Sequence, residues 1–438
     1  MKKTLISISI IVLLLGVVIP VSSDISLEKN SFQIKINQDD DFDLIIITNA
    51  YLISELEPLV QHKNKYGIHT MIKTTEEIYQ EYQGRDDAEK IKYFIKDAKE
   101  TWNISYVMLI GDQRFIPFRK SNVMPFDDIP YDFLSELYYA DIYDSNGNFS
   151  SWDSDDDEIY CEWYNGSKAE DNQQDLVPDV AIGRLVCFTP DEAHVIVNKI
   201  IEYEGHPADP SWFNNIVVAG GETFVEYEGF EGEIMTQNAI DVMKDFNPIK
   251  LWISNGELDR LGINIIRSIN RGCGFLYLAG HGNTHSWATL SQEGETASIF
   301  TIFHLPFLFN KGEYPVCILS GCHVCKFSKA SCIGWQLTKK QYGGSIATIG
   351  PTSIGYCGFE WGGGGIDWLE LQFFKEYANG THIIGDIWKD SITKYLDSYP
   401  IDWDLPAYLN CAIDAKMVQE WVLLGDPSLM IGGYPSLL

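Results

Sequence analysis

The sequence predicts an α/β fold, with mostly parallel sheets covered by helices and arranged in two halves. Three observations predict it. Runs such as FDLIIITNA (42–50) and SYVMLIGD (105–112) are continuously apolar and β-branched. They lack the alternation of a half-exposed strand, so both faces must be covered. These runs alternate with segments of helical period, and a β-α-β-α-β rhythm implies parallel strands joined by crossover helices. Finally, 438 residues at 45% hydrophobic content suffice for a large core.

In order, FDLIIITNA reads as a first strand. LISELEPLVQHKNKYG follows with helical spacing and ends on Gly67. IHTMIKTTEEIY begins a second strand, and Asp86-Asp87 opens a helix with Ile91, Phe94, Ile95 and Ala98 on one face. SYVMLIGD is the third strand. Between about 118 and 178 the rhythm breaks into an insert rich in Asp, Asn, Gly, Ser and aromatics. An irregular segment this long inside a folded domain is usually functional. PDVAIGRLVCF (178–188) restores a strand, and PDEAHVIVNKIIEYE a helix.

The second half repeats the alternation. NNIVVAGGETF is a strand ending in glycines, followed by the Glu-rich loop EYEGFEGE. Further strands read at IKLWIS, GFLYLAG, VCILSG and SIATIGPT, with helices between them. After His281 comes a polar stretch. IDWLELQFFKEYANG, IIGDIWKDSITKYLDSY and CAIDAKMVQEWVLLGD close the chain as amphipathic segments. The expected divisions are a signal peptide at 1–23 and a short segment at 24–41. A first subdomain at 42–204 carries the Asp-rich insert, and a second at 205–438 carries the reactive residues.

The N-terminus bears on compartment. Met1-Lys2-Lys3 is basic, Leu5 to Val18 is apolar, and Pro20-Val21-Ser22-Ser23 is a small-residue exit. That is the layout of a secretory signal peptide. The alternative is an uncleaved anchor, for which the apolar part is short. No later stretch is apolar enough to span a bilayer, so the expectation is a secreted or cell-envelope protein with no stable span after signal removal. A net charge of −30, from 62 acidic and 32 basic residues, argues against nucleic acid and anionic membrane surfaces as partners. Sequons beginning at Asn103, Asn148, Asn165 and Asn379 are compatible with export. Nine cysteines is an odd count, so at least one thiol is expected free.

Two strand ends share one grammar. In FLYLAGHGNTH an apolar strand ends in a turn presenting His281 between Gly280 and Gly282. In PVCILSGCHVC a second strand ends by presenting Cys322 after Ser320-Gly321. Sites in open α/β sheets form beyond the carboxyl ends of strands. A cysteine there needs a neighbouring imidazole to take its proton and later to protonate a leaving amine. The backbone amides of Gly282 and Cys322 are the candidate oxyanion donors. The bland alternatives are a hydrogen-bonded loop histidine and a small core cysteine. A metal reading uses Cys317, Cys322 and Cys325, whose spacing matches iron–sulfur ligands, with Cys322-x2-Cys325 as half a zinc site. Strand alternation turns Cys317 away from its neighbours, and there is no second CxxC pair. His323 and His285 are expected to line the cleft. In the insert, Asp153, Asp155 and Asp157 offer hard oxygens that suit a structural calcium, although the spacing is not that of an EF-hand. The competing reading is a solvated acidic loop.

These residues resemble the gingipain family of cysteine endopeptidases, of the caspase-like clan. The likeness rests on YLAGHG with His281 and CILSGC with Cys322. It extends to PDVAIGR, VVAGGETF followed by GFEGE, GGSIATIGPT, LLGDPSL and the YYADIYD to SWDSDDDE insert. It spans about 42–432. The resemblance implies a caspase-like three-layer sandwich in two side-by-side subdomains. It implies an endopeptidase acting on protein or peptide substrates, with Cys322 as nucleophile, His281 as acid/base and no cofactor for catalysis. It associates the Asp-rich insert with calcium. Asp179 occupies the position where gingipains have a glutamate that orients the imidazole, and an aspartate is shorter. Only about twenty residues separate the expected signal peptide from the first strand, so a counterpart of the family's long propeptide or C-terminal domains is not expected from these residues, and P1 preference does not follow from these motifs. Two other readings stand beside it: a catalytically silent envelope binding protein of the same fold, and the Cys-cluster metal protein.

Overall fold

The computed structural model describes residues 41–125, 133–164, 166–225, 229–329, 331–358, 364–407 and 410–435. The expected signal peptide and most of the short N-terminal segment lie outside the described residues. The first sheet is built from β1 (Leu44–Thr48), β2 (Thr70–Thr74), β3 (Tyr106–Ile110) and, after the ribbon β4 (Arg119–Ser121) and β5 (Phe133–Ser135), from β6 (Ala181–Leu185). Its order is β2-β1-β3-β6, and every pairing is parallel. All five residues of β1 and of β3 are buried, as their unbroken apolar runs require. Helix 53–65 makes the crossover from β1 to β2, helix 87–102 lies in that from β2 to β3, and a third helix, 190–204, follows β6. Local chemistry sets their ends. The Asp86 side chain accepts from the Glu89 amide at the second helix, which stops at Asn103 in a left-handed conformation (φ 52°). The Thr189 side chain accepts from the Glu192 amide at the third, with Pro190 in its first turn.

The second sheet takes β7 (Asn215–Gly220), β8 (Asn247–Trp252) and β9 (Phe275–Ala279). The chain then forms a separate small sheet of β10 (His281–Asn283), β11 (Ser286–Leu290) and β12 (Thr296–Thr301). It returns through β13 (Val316–Ser320), β14 (Ala347–Pro351) and β15 (Trp421–Leu424). The large sheet runs β15-β14-β13-β9-β7-β8, parallel except for the antiparallel edge strand β15. With helices covering buried sheets, this is the α/β sandwich that the alternation predicts.

Three elements differ from the sequence reading. TTEEIY is not strand. A capping box, with Thr74 and Glu77 bonding each other's backbone, ends β2 and opens a helix at 75–81. The polar stretch after His281 is the antiparallel β10-β11-β12 sheet. WVLL, which continues the period of the preceding helix (Asn410–Glu420), is the edge strand β15 paired to β14.

The two large sheets meet at β6 and the GDPSL segment after β15. A side chain at Gly183 would collide with the Gly425 carbonyl and press on Pro427. Lys63 from the first crossover helix is buried between Glu204 (2.8 Å) and Asp426 (2.6 Å), and His62 bonds the same Glu204 at 3.0 Å. The Glu204 carboxyl is held below its ordinary range by Lys63, against the effect of burial.

Candidate active site

Strand register brings the two reactive residues together. Ala279 of β9 pairs with Ser320 of β13. His281 and Cys322 each follow two residues later, so both leave the sheet at the same level of its carboxyl edge. The two turns then touch backbone to backbone. A Cβ on Gly321 would lie 2.9 Å from the His281 carbonyl carbon, and one on Gly282 would lie 2.6 Å from Val324 Cγ1 and 3.0 Å from the Cys322 oxygen. Glycine is required here by proximity, not by φ.

His281 and Cys322 line one cavity of about 250 Å³ together with Thr223, Phe224, Pro351, Ile354, Gly355, Tyr356, Cys357 and Ile366. Cys322 and His281 are both half-buried. Burial pushes the Cys322 thiol up, an effect only partly offset by a hydrogen bond from the Gly355 amide. The His281 ring lies edge-on to Phe224, with centroids 6.3 Å apart. Its Nε2 is 2.9 Å from the Thr223 carbonyl. A carbonyl only accepts, so Nε2 carries the proton and Nδ1 is left as the basic nitrogen. Gly282 sits in β10 opposite Trp287.

The Thr223 carbonyl is itself held in place. It follows Gly220-Gly221-Glu222 at the end of β7, the strand adjacent to β9. The carboxylates of Glu222 and Glu231 both accept from the amides of Thr223 and Phe224, at 3.0–3.2 Å. Burial and the neighbouring Glu231 push Glu222 up to about 7, whereas Glu231 is lowered. Glu222 therefore holds its proton to higher pH than its ionised neighbour Glu231. Sequence reasoning noted the glycine end of β7 and the Glu-rich loop but assigned them no role. The signal was the same strand-end grammar as in the other two turns.

Asp179 is not brought to His281. It precedes the amino end of β6, in the other sheet. Its Oδ2 accepts from the amides of Ile142 (2.7 Å) and Tyr143 (3.0 Å) in the insert. The cysteine-cluster reading also fails geometrically. Cys317 is buried within β13 and Cys325 lies against Gly334 and Gly350, so among the described residues these thiols do not converge with Cys322 on one point. None of the nine cysteines is in a disulfide. His285 bonds Ser331, and His323 lies 3.3 Å from the Thr352 carbonyl.

In the insert, Asp153 and Asp155 converge with Asp171, each offering an oxygen within 4.8 Å of the others. Asp157, expected as the third member, is outside this group; its Oδ1 accepts from the Ile159 amide. Burial is the main cause pushing Asp171 up to about 6, and the charge of Asp153 adds to it. Crowded hard oxygens of this kind suit calcium, although Arg85 already contacts Asp153 at 2.7 Å. Among the described residues no helix is long and apolar enough to cross a membrane.

Comparison with known proteins bears on the family and the fold. Gingipain R2 of Porphyromonas gingivalis is 21% identical over 401 residues, which is 89% of this chain and 46% of that protein. The chain thus spans about half the length of the curated relatives it matches. An uncharacterized protein of Archaeoglobus fulgidus is 20% identical over 313 residues, covering 65% of this chain and 67% of that one. Among solved structures, the crystal structure of the Arg-specific cysteine proteinase gingipain R superposes with a TM-score of 0.64 at 19% identity, over 89% of this chain and 78% of that chain. The complex of the pro- and mature domains of Porphyromonas gingivalis RgpB gives 0.63, also at 19% identity, over 89% and 79%. These likenesses show a shared fold. The model of peptidase family C25 matches residues 37–432, and the chain belongs to that family.

Proposed function

We propose that the protein is an exported cysteine endopeptidase in which Cys322 is the nucleophile and His281 the acid/base. The observation that carries the reading is one cavity lined by both side chains, at the level ends of adjacent parallel strands. The raised thiol pKa means that Cys322 rests protonated. Nδ1 of His281 takes the Sγ proton as sulfur attacks the scissile carbonyl. The oxyanion forms against the amides of Gly282 and Cys322. His281 then gives the proton to the leaving amine, producing a thioester to Cys322. Water, deprotonated by the same nitrogen, releases the carboxylic acid and restores the thiol. The Thr223 carbonyl orients the ring in place of the carboxylate expected from Asp179. The family membership, the apolar N-terminal run and the acidic surface support export and protein or peptide substrates.

A catalytically silent relative would not need a cavity lined by an intact Cys-His pair. Labelling with an electrophilic peptide probe separates the two readings. Labelling lost in Cys322→Ala and kept in Cys325→Ala supports the assignment, and the reverse pattern refutes it. We further propose a structural calcium held by Asp153, Asp155 and Asp171. Millimolar calcium is then expected to raise Tm relative to a chelator, and the rise to vanish in Asp171→Asn.

A further inference from the structure

Beyond the site, the sequence holds one apolar run that burial does not use up. TIFHLPFLFN (301–310) lies between β12 and β13. Leu305 and Leu308 are buried and anchor it, but Phe303, Phe307 and Phe309 are 79%, 59% and 69% exposed. Helix 263–269 runs beside it, and Leu261 and Ile263 at the start of that helix are exposed as well. Five of the ten exposed large apolar side chains among the described residues thus belong to one helix and one loop, a concentration that singly scattered surface residues do not give.

Hydrogen bonds join the two segments. Asn270, at the end of the helix, donates from Nδ2 to the Phe307 carbonyl at 2.9 Å and accepts at Oδ1 from the Phe309 amide at 2.7 Å. At the other end, Ser298 of β12 donates to the Asp259 carbonyl at 2.7 Å. The Thr301 amide donates to His304 Nδ1 at 2.7 Å, and the His304 ring stacks on Phe300. The backbone that carries the phenylalanines is therefore fixed while their rings stay in water.

Charge marks the same strip. Of the seven arginines in the chain, Arg85, Arg114, Arg119 and Arg184 each contact a carboxylate. Arg260, Arg267 and Arg271 are exposed on or next to the helix and are in no salt bridge among the described residues. Asp259 turns its oxygens to the amides of Leu261, Ile263 and Asn264, and Glu257 and Glu313 flank the two ends. The net charge of −30 repels an anionic surface at a distance. Salt screens that repulsion over about 8–10 Å, and at contact the touching groups decide.

We propose that this strip docks on an anionic lipid bilayer, with Phe303, Phe307 and Phe309 entering the interfacial layer and Arg260, Arg267 and Arg271 meeting lipid phosphates. A bilayer needs no matched pocket for three separate rings, as a protein partner would. A second copy docking face to face would set arginine against arginine.

The test is hydrogen exchange read by mass spectrometry on the purified full chain, with vesicles of phosphatidylcholine alone or with about 30% phosphatidylglycerol, in about 0.1 M salt. The readout is local, so attachment of the apolar N-terminal run to the vesicles does not by itself produce it. Peptides covering 260–271 and 303–309 are expected to exchange on the order of tenfold slower with the anionic vesicles and not with the neutral ones. The slowing is expected to vanish in the triple variant Phe303→Ser, Phe307→Ser, Phe309→Ser and to fall at least about fivefold in Arg267→Gln, Arg271→Gln, both at wild-type Tm. No slowing with anionic vesicles, or the same slowing in both variants, overturns the proposal. Slowing that appears without vesicles as protein concentration rises, together with a dimer on size exclusion, gives the strip to a second copy and also overturns it.

Discussion

At the residue scale, His281 and Cys322 have separate electrostatic tasks in the mechanism we propose. Burial raises the thiol pKa, so the proposed chemistry depends on a base with a fixed tautomer, and the Thr223 carbonyl fixes that of His281. His281→Ala is therefore expected to lower kcat by about 10²–10⁴-fold with little change in Tm, read by steady-state kinetics on a cleaved peptide. Asp179→Asn makes the opposite split. It keeps kcat within about twofold but weakens two amide hydrogen bonds to the insert, costing about 1–2 kcal/mol in denaturant unfolding. A large kcat loss at unchanged stability would return Asp179 to the catalytic group. Glu222 gives a pH signature. Burial and Glu231 raise its pKa from 4.5 to about 7, so the folded chain binds this proton more tightly than the unfolded chain. The stabilisation is complete below about 4.5 and is lost as pH rises through about 7. Glu222→Gln should flatten the fall of Tm over that window, measured by calorimetry across pH.

At the element scale, the site is made by turns that cross at backbone distance. The β9 and β13 turns touch at Gly282 and Gly321, where a Cβ has no room. Gly282→Ala is expected to cost about 1–3 kcal/mol by overpacking and to reduce kcat more than KM, because the push separates His281 from Cys322. Retained stability with unchanged kinetics would show that the turns can move apart freely. Both turns were legible beforehand because each is a local pattern, an apolar strand followed by small residues and one reactive side chain. The third turn, at the end of β7, carries the same pattern, yet Glu222 and Thr223 drew no role. Their importance depends on β7 lying beside β9, an adjacency that crosses sequence order. WVLL was misread because four apolar residues after an amphipathic helix fit either period, and pairing to β14 alone decides between them.

At the scale of the whole molecule, the two large sheets are joined by a buried ionic cluster. Lys63 comes from the first half and Asp426 from the GDPSL segment that follows the last strand, with Glu204 between them. Removing the cation leaves two buried carboxylates without their ammonium, with His62 and the Met430 amide on Glu204 and only Ser428 on Asp426. Lys63→Met is expected to cost about 3–5 kcal/mol, seen as a large drop in Tm, and Glu204→Gln in the same background to recover part of it. The insert is also a whole-molecule feature. Asp171 lies well beyond the acidic run that drew attention, and only folding brings it to Asp153 and Asp155, displacing Asp157 from the expected set.

The sequence by itself determined the α/β class, the parallel strands, the two candidate reactive side chains and the family resemblance. All of these are written in short-range patterns of apolar runs and glycine-bounded turns. Only the tertiary structure decided that Thr223 holds His281 and that Asp179 serves the insert instead. It alone decided that Cys317 and Cys325 stay apart from Cys322. Each of those facts is a contact between segments distant in the chain. Such contacts are set by strand order and by which charges find partners on burial, and no local pattern encodes either.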